Sequence, residues 1–268
     1  MRRPAKALLG HLLFASRLHA ILLGQSAAVV AFHRVNDGMN DGADADGLSV
    51  SRATFERYCD FFSRHFRVIS LRSLVDRLER GDTLERHLAI TFDDGYRDNF
   101  EIAAPILERL SLPATFFLVS QWIGSDVVPW WDRELGVRHP WMMWDQAREL
   151  RRRGFDIGAH TRTHANLGEV RGEVAREEIA GARRELERQL GEPVDLFAYP
   201  YGAKNQMTSE NLELVRAAGF RCCCSCYGGL TTTGTDPFRL LRVPITPWYA
   251  SPHQFGLELA FETAPLFA

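Results

Sequence analysis

The sequence predicts an α/β fold, a mainly parallel sheet wrapped by helices, on three observations. Short apolar runs alternate with longer segments of helical periodicity along most of the chain. The 268 residues are 46% hydrophobic and 25% charged, enough apolar material for one large core. No internal repeat and no linker interrupts them, so one domain over residues 26–268 follows an N-terminal amphipathic helix over 1–25.

The opening stretch, "MRRPAKALLGHLLFASRLHAILLGQ", begins positively charged like an export signal, but His11, Arg17 and His19 break its apolar run. A spanning helix needs about 20 uninterrupted apolar residues. An amphipathic helix remains, with Leu9, Leu12, Leu13 and Leu23 among its apolar positions; it suits a peripheral membrane surface and a cover for the fold equally well. The strand "AVVAF" follows, then "NDGMNDGADADG", whose aspartates lack the ligand alternation and closing Glu of a calcium loop and read as a solvated loop. Ser51 is placed to cap a helix through "RATFERYCDFFSRHF".

From there the pattern is regular: "FRVISL", a helix ending at Gly81, "HLAITF", a helix over "NFEIAAPILERL", "ATFFLV", a Trp-rich loop, a helix from Asp145, and "FDIGAH". A long helix follows with Ile179, Ala182, Leu186 and Leu190 in one stripe, then "VDLFAYP", a helix over "SENLELVRAAG", a Cys-rich strand and "LLRVPI".

The formal net charge of −2 and the absence of a basic run exclude nucleic acid as the partner. The cysteines are Cys59, Cys222, Cys223, Cys224 and Cys226. Their single Cys-x-x-Cys spacing argues for a strand of small buried residues over a zinc cluster. Unpaired thiols and the lack of a clean export signal favour a cytoplasmic or inner-membrane-peripheral location over secretion.

In a helix-wrapped parallel sheet, functional groups gather at the carboxyl ends of the strands. Asp93 and Asp94 end "LAITF", His160 and His164 end "FDIGA", Tyr201 follows "LFAYP", and His33 ends "AVVAF". His160 and His164 are four apart, so a helical turn would face both imidazoles one way. With one Asp they form the two-His, one-carboxylate set suited to a divalent first-row metal, zinc first. That set also accounts for two adjacent acids, since the cation neutralises one and the other stays ionised as a base.

"TFDDG", "HTRTH" and "FAYPYG" together resemble the first three motifs of the polysaccharide deacetylase family, the NodB-homology carbohydrate esterases, over about residues 84–245. The resemblance implies a distorted or incomplete (β/α) barrel and metal-dependent hydrolysis of N-acetyl groups from N-acetylhexosamine units of a glycan, releasing acetate. It implies Asp93 as catalytic base, Asp94, His160 and His164 as metal ligands, and the backbone N–H of Tyr201 as oxyanion donor. Two departures stand out. Ala198 occupies the place where many members carry an Arg that orients the base, leaving Arg242 and Arg239 as candidates for that role. No C-terminal Leu-x-His strand is recognisable, and His253 in "SPHQF" lacks one; "VVAFHRV" instead resembles the opening strand of the permuted branch that includes poly-N-acetylglucosamine deacetylases. That likeness makes His33 the acid, with His253 second.

Substrate contacts are expected from Trp130, Trp131, Asp132, Pro200 and Arg242. The Trp cluster, which includes Trp141 and Trp144, suits sugar stacking but also packing beneath a loop. Three rival readings remain: an aspartate-rich magnesium motif of prenyl-chain synthases, which leaves the His pair unexplained, a catalytically silent carbohydrate-binding protein, and an O-acetyl esterase acting on xylan.

Overall fold

The computed structural model describes residues 3–37 and 47–261, and most of the Gly/Asp-rich loop of the sequence reading lies outside them. The N-terminal stretch is two helices rather than one, α1 (Arg3–Ala15) and α2 (His19–Leu22). The break falls at Arg17, whose φ of 62° ends the first helical run. Strand β1 (Ser26–Phe32) follows, then the short parallel pair β2 (Arg34–Asn36) and β3 (Ser49–Ser51). Helix α3 (Arg52–His65) starts where expected: the Ser51 side chain accepts from the Thr54 N–H.

The chain then runs through β4 (Arg67–Val68), α4 (Leu71–Arg80), β5 (His87–Phe92), a π-turn at Asn99–Ala103 leading into α5 (Ala104–Arg109), and β6 (Ala114–Leu118). The Trp-rich segment forms a short helix, α6 (Trp130–Leu135), where the sequence suggested a loop. After α7 (Trp144–Arg152) and β7 (Asp156–Ala159), α8 (Gly172–Arg176) and α9 (Ala182–Leu190) join through a π-turn at Glu177–Gly181. Then come β8 (Leu196–Ala198), α10 (Ser209–Ala217), β9 (Cys222–Cys224), β10 (Thr231–Thr232), β11 (Val243–Pro244) and α11 (Pro252–Phe261).

The sheet runs β1-β5-β6-β7-β8-β9, all parallel, and curls into a half-barrel wrapped by helices. Its open side is bridged by the segment ending in β11. Ser225 donates to the Leu240 carbonyl at 2.9 Å on the β9 side, and Ile245 donates to the Ala31 carbonyl at 2.8 Å on the β1 side. Arg242 lies between those two anchors and is carried into the gap.

Period-two alternation splits each strand between two cores. One face sends Phe32, Phe92 and Phe116 outward beneath the helices, with rings stacked 5.5 and 4.8 Å apart. Burying each such ring is worth roughly 1.5–3 kcal/mol. The inner face carries Ala27, Val29, Ala89, Ala198, Cys222 and Cys224, closed over by Leu71, Leu74 and Leu78 of α4. Small side chains fit where curvature crowds them, which is the physical place of the Cys-rich strand. Gly158 obeys the same constraint, because a Cβ there would meet the Phe117 ring at 2.4 Å.

Helix α1 docks tightly on α11. A Cβ at Gly10 would meet the His253 carbonyl at 2.0 Å, and one at Gly256 would meet Phe14 at 2.5 Å. Four histidines gather at this junction: His19 stacks on Phe14 at 4.2 Å, His65 lies 5.2 Å from His19, and His253 lies 4.9 Å from His11. Burial lowers the pKa of His19 and His253, and burial with His19 and His253 nearby lowers His65 to about 4. Arg64, Arg17 and Arg86 add to the lowering and Asp60 opposes it. The unfolded chain therefore binds protons near pH 6.5 that the folded chain refuses. The stability these groups confer is full above that pH and is lost as pH falls toward 4. Thermal unfolding followed by circular dichroism should show Tm dropping across this window, with a smaller drop for His65→Phe; equal drops would assign the effect to the carboxylates.

Candidate active site

Asp93 and Asp94 stand at the carboxyl end of β5, where the Asp93 N–H donates to the Phe32 carbonyl at 2.9 Å. The turn that follows needs its residues: Asp94 has φ 72° and Gly95 φ 92°, and a Cβ on Gly95 would meet Ile123 at 2.7 Å. The two carboxylates leave β5 in different directions, and each finds its own set of partners.

Asp94 faces the histidines. Its Oδ1 lies 3.5 Å from His160 Nε2 and 3.3 Å from His164 Nε2, and one ligand atom from each of the three residues falls within 4.8 Å of the others. The His160–His164 segment is not the helical turn the spacing suggested; it is a loop with Thr161 and His164 both at φ 61°. Glu178, from the π-turn between α8 and α9, shapes that loop by accepting from the N–H groups of Arg162 and Thr163 at 3.0 Å and from the Thr163 hydroxyl at 2.9 Å. Among the described residues, four of the seven non-glycine positions with positive φ (Asp94, Thr161, His164 and Tyr201) stand in these loops, and strained backbone persists where surrounding contacts over-determine it.

His160 Nδ1 lies 2.9 Å from the Ala198 carbonyl, which fixes the N–H on that nitrogen and leaves Nε2 as a lone pair toward Asp94. Burial holds the His160 pKa at about 4, so the ring is a neutral ligand near pH 7. Burial pushes the Asp94 carboxyl up, but His164, with His33 and His160, overrides it and holds the group below the usual range. Asp94 Oδ1 is buried with no hydrogen-bond donor. The His160 Nε2 lone pair, a second imidazole nitrogen and a buried carboxylate oxygen converge there within 4.8 Å, so these residues fit a divalent metal.

Asp93 stands beside that cluster, its Oδ2 4.0 Å from His160 Nε2, but its hydrogen bonds go elsewhere. Arg242 binds it with both prongs, Nη1 to Oδ1 at 2.7 Å and Nη2 to Oδ2 at 2.8 Å, while Nε donates to the Ser225 carbonyl and Nη1 also reaches the Thr91 hydroxyl. Burial works against the Asp93 charge, and Arg242 with His160 outweighs it, so the pKa is lowered. Arg242, expected to bind substrate, is 0% exposed, lies off the cavity wall and holds Asp93. Arg239 is exposed on the surface.

A cavity of about 550 Å³ opens over Asp93, Asp94, His160 and His164, with His33, Trp130, Trp131 and Tyr201 on its walls. Asn99 donates to the His33 carbonyl at 2.7 Å and Asp98 accepts from the Val35 N–H at 3.2 Å, which seats the turn carrying His33. Tyr201, at φ 62°, sets its ring 4.9 Å from His164, and among the described residues its N–H makes no backbone hydrogen bond. Trp141 packs beneath the site instead of lining it, stacked on Tyr96 at 4.5 Å and tilted against Trp122 at 4.6 Å; Trp122 in turn stacks on His164 at 5.1 Å.

Three further residues of the expected set lie off the cavity wall. Asp132 is fully buried and lies 3.4 Å from Arg34, tying α6 to β2, because a buried carboxylate needs a cation more than a sugar hydroxyl does. Pro200 is buried and accepts from the Gly202 N–H at 2.7 Å, away from the cavity wall. His253 belongs to the α1–α11 junction, well removed from the cavity lining. The sequence reading missed Glu134, Tyr199, Leu48 and Cys226 on the wall and Glu178 behind it. Glu134 was within reach, four residues after Trp130 on one helical face, and Cys226 follows the carboxyl end of β9.

The family model described as polysaccharide deacetylase matches residues 80–223, which include the turns carrying Asp93, Asp94, His160, His164 and Tyr201. The chain belongs to the polysaccharide deacetylase family. The Bacillus subtilis (strain 168) protein YxkH, which carries a polysaccharide deacetylase name, is 25% identical to this family member over 163 residues, 61% of this chain and 53% of that one. The chain thus spans about half the length of that relative. A poly-beta-1,6-N-acetyl-D-glucosamine N-deacetylase of Staphylococcus epidermidis is 22% identical over 241 residues, 82% of this chain and 79% of its own. Among solved structures, the Streptococcus pyogenes deacetylase PplD in complex with acetate superposes with a TM-score of 0.72 at 18% identity, covering 87% of this chain and 97% of that one, a likeness of fold.

Proposed function

We propose that this family member hydrolyses the N-acetyl groups of an N-acetylhexosamine glycan, with Asp93 as base, His33 as acid and one divalent metal, zinc first, held by Asp94, His160 and His164. The observation that carries the reading is the division of labour between the two acids: Arg242 grips Asp93 by both oxygens while Asp94 turns to the histidines. A metal that only neutralised charge would leave no reason to keep a second, ionised carboxylate beside it.

When bound there, the cation supplies Lewis acidity toward the acetamide carbonyl and brings the pKa of water down toward about 7. Asp93, held ionised by Arg242, takes a proton from the attacking water as the C–O bond forms. The Tyr201 N–H donates to the oxygen that gains negative charge. His33 gives its proton to the nitrogen as the C–N bond breaks, and acetate and a free amine leave. Trp130 and Trp131 offer ring faces to the sugar. The name of the Staphylococcus epidermidis relative supports β-1,6-linked N-acetylglucosamine as the first substrate to test.

Acetate release from acetylated glucosamine oligomers, chitin oligomers and acetylated xylan tests the reading. Release is expected from the glucosamine oligomers, lost with a chelator and restored by zinc. Release from xylan alone would make the protein an O-acetyl esterase; binding of metal and sugar without release would make it a silent lectin. His33→Ala should lower turnover about a hundredfold with metal content unchanged. An unaltered rate would remove His33 from the acid role.

A further inference from the structure

The N-terminal helices expose apolar side chains that nothing among the described residues covers. Helix α1 buries Gly10, Leu13 and Phe14, yet Ala5, Leu8, Leu9, Leu12 and Ala15 are all exposed on it. At 3.6 residues per turn those five form one stripe on the side away from the core. The stripe continues beyond the break with Leu18, Ile21 and Leu22, of which Ile21 is 78% exposed. Among the described residues, six of the fifteen large exposed hydrophobic side chains therefore lie within residues 8–22, where an ordinary water-facing helix would carry charge.

A basic cleft of about 520 Å³ adjoins this stripe, lined by Arg17, His19, Arg64, His65, Arg67 and Arg86. Asp60 pairs with Arg64 and Glu85 with Arg67, but Arg17 and Arg86 make no ion pair among the described residues. Arg86 Nε is buried without an acceptor, and so is Nδ1 of His19, a residue only 5% exposed. The cleft thus presents two uncompensated cations and unmet polar atoms beside an apolar stripe. Arg86 directly precedes β5 and Arg67 opens β4, so the cleft lies at the amino ends of the strands, opposite the end that carries Asp93 and Asp94.

We propose that residues 5–22 and this cleft dock the protein on an anionic lipid bilayer, the leucine stripe lying in the interface and Arg17 and Arg86 meeting lipid phosphate. The chemistry is complementary on both counts: apolar side chains enter the headgroup–acyl boundary, and guanidinium groups bind phosphate with fixed geometry. No helix among the described residues is long and apolar enough to cross the membrane, so the contact is peripheral. A second copy is the poorer occupant, because a two-fold pairing through the stripe would set two basic clefts against each other. Docked this way, the cavity points away from the bilayer, toward polymer in solution.

Sedimentation of the full chain with vesicles of phosphatidylcholine, alone or with about one third phosphatidylglycerol, is the test. Binding is expected only to the anionic vesicles, weakening steeply as salt rises. The pairs Leu12→Glu with Ile21→Glu, and Arg17→Glu with Arg86→Glu, should each weaken it at least tenfold while circular dichroism and thermal unfolding stay unchanged. Absence of binding to anionic vesicles, or binding that both variant pairs retain, would overturn the proposal. So would light scattering showing a wild-type dimer that the Leu12 and Ile21 substitutions dissociate. None of these readouts depends on acetate release, so this proposal and the catalytic one fail separately.

Discussion

Asp93→Asn is expected to reduce acetate release about 10³-fold while bound zinc stays at the wild-type level. Asn has the size of Asp and its carbonyl still accepts from Arg242, but an amide takes no proton, and a positioned general base contributes roughly 10²–10⁴ in rate. The metal set of Asp94, His160 and His164 is untouched, so elemental analysis should separate this variant from His160→Ala, in which one of three ligands is gone and zinc and activity fall together. Near-native release by Asp93→Asn would end its role as base. Asn also leaves the buried Arg242 charge without its counter-ion, so the assay belongs well below the variant's own unfolding temperature.

Arg242→Met should produce the largest loss of stability, about 3–5 kcal/mol, since it strands the fully buried Asp93 carboxylate. For a chain of this size that is a fall in Tm of about 10 °C. Turnover should fall with it, because burial, no longer opposed, pushes the Asp93 carboxyl up and depletes the ionised base. Arg242→Lys keeps the charge but loses the two-pronged fit, and should recover part of the stability and less of the rate. Urea denaturation of the three proteins measures the effect, and indifference of stability to Arg242→Met would show that Asp93 is held by other means.

Much of the architecture was legible because it rests on local periodicity. "HLAITF" and "ATFFLV" became central strands, and the Ile179, Ala182 and Leu186 stripe became a buried helix face. The strand-end rule brought Asp93, Asp94, His160, His164, His33 and Tyr201 to one cavity from four separate segments. What failed was orientation. His160 and His164 were expected on a helical turn, but Glu178, buried on a distant helix, draws their loop into another shape. Asp132 looked like a hydroxyl binder in the sequence, and its burial against Arg34 has no local signature. The N-terminal stretch read as one amphipathic helix, yet both its sides are apolar and only packing against α11 decides which is buried.

The sequence by itself determined the element order, the rim on which the polar groups meet, and the residue types able to bind a metal, because these follow from periodicity, turn chemistry and ligand preference over short spans. Tertiary structure alone decided which acid meets which partner. Arg242 lies 149 positions from Asp93 and reaches it only because its segment bridges the open side of the half-barrel. Pairing of buried charges is a long-range balance of desolvation against Coulomb attraction, and that balance exists only once the chain has closed around it.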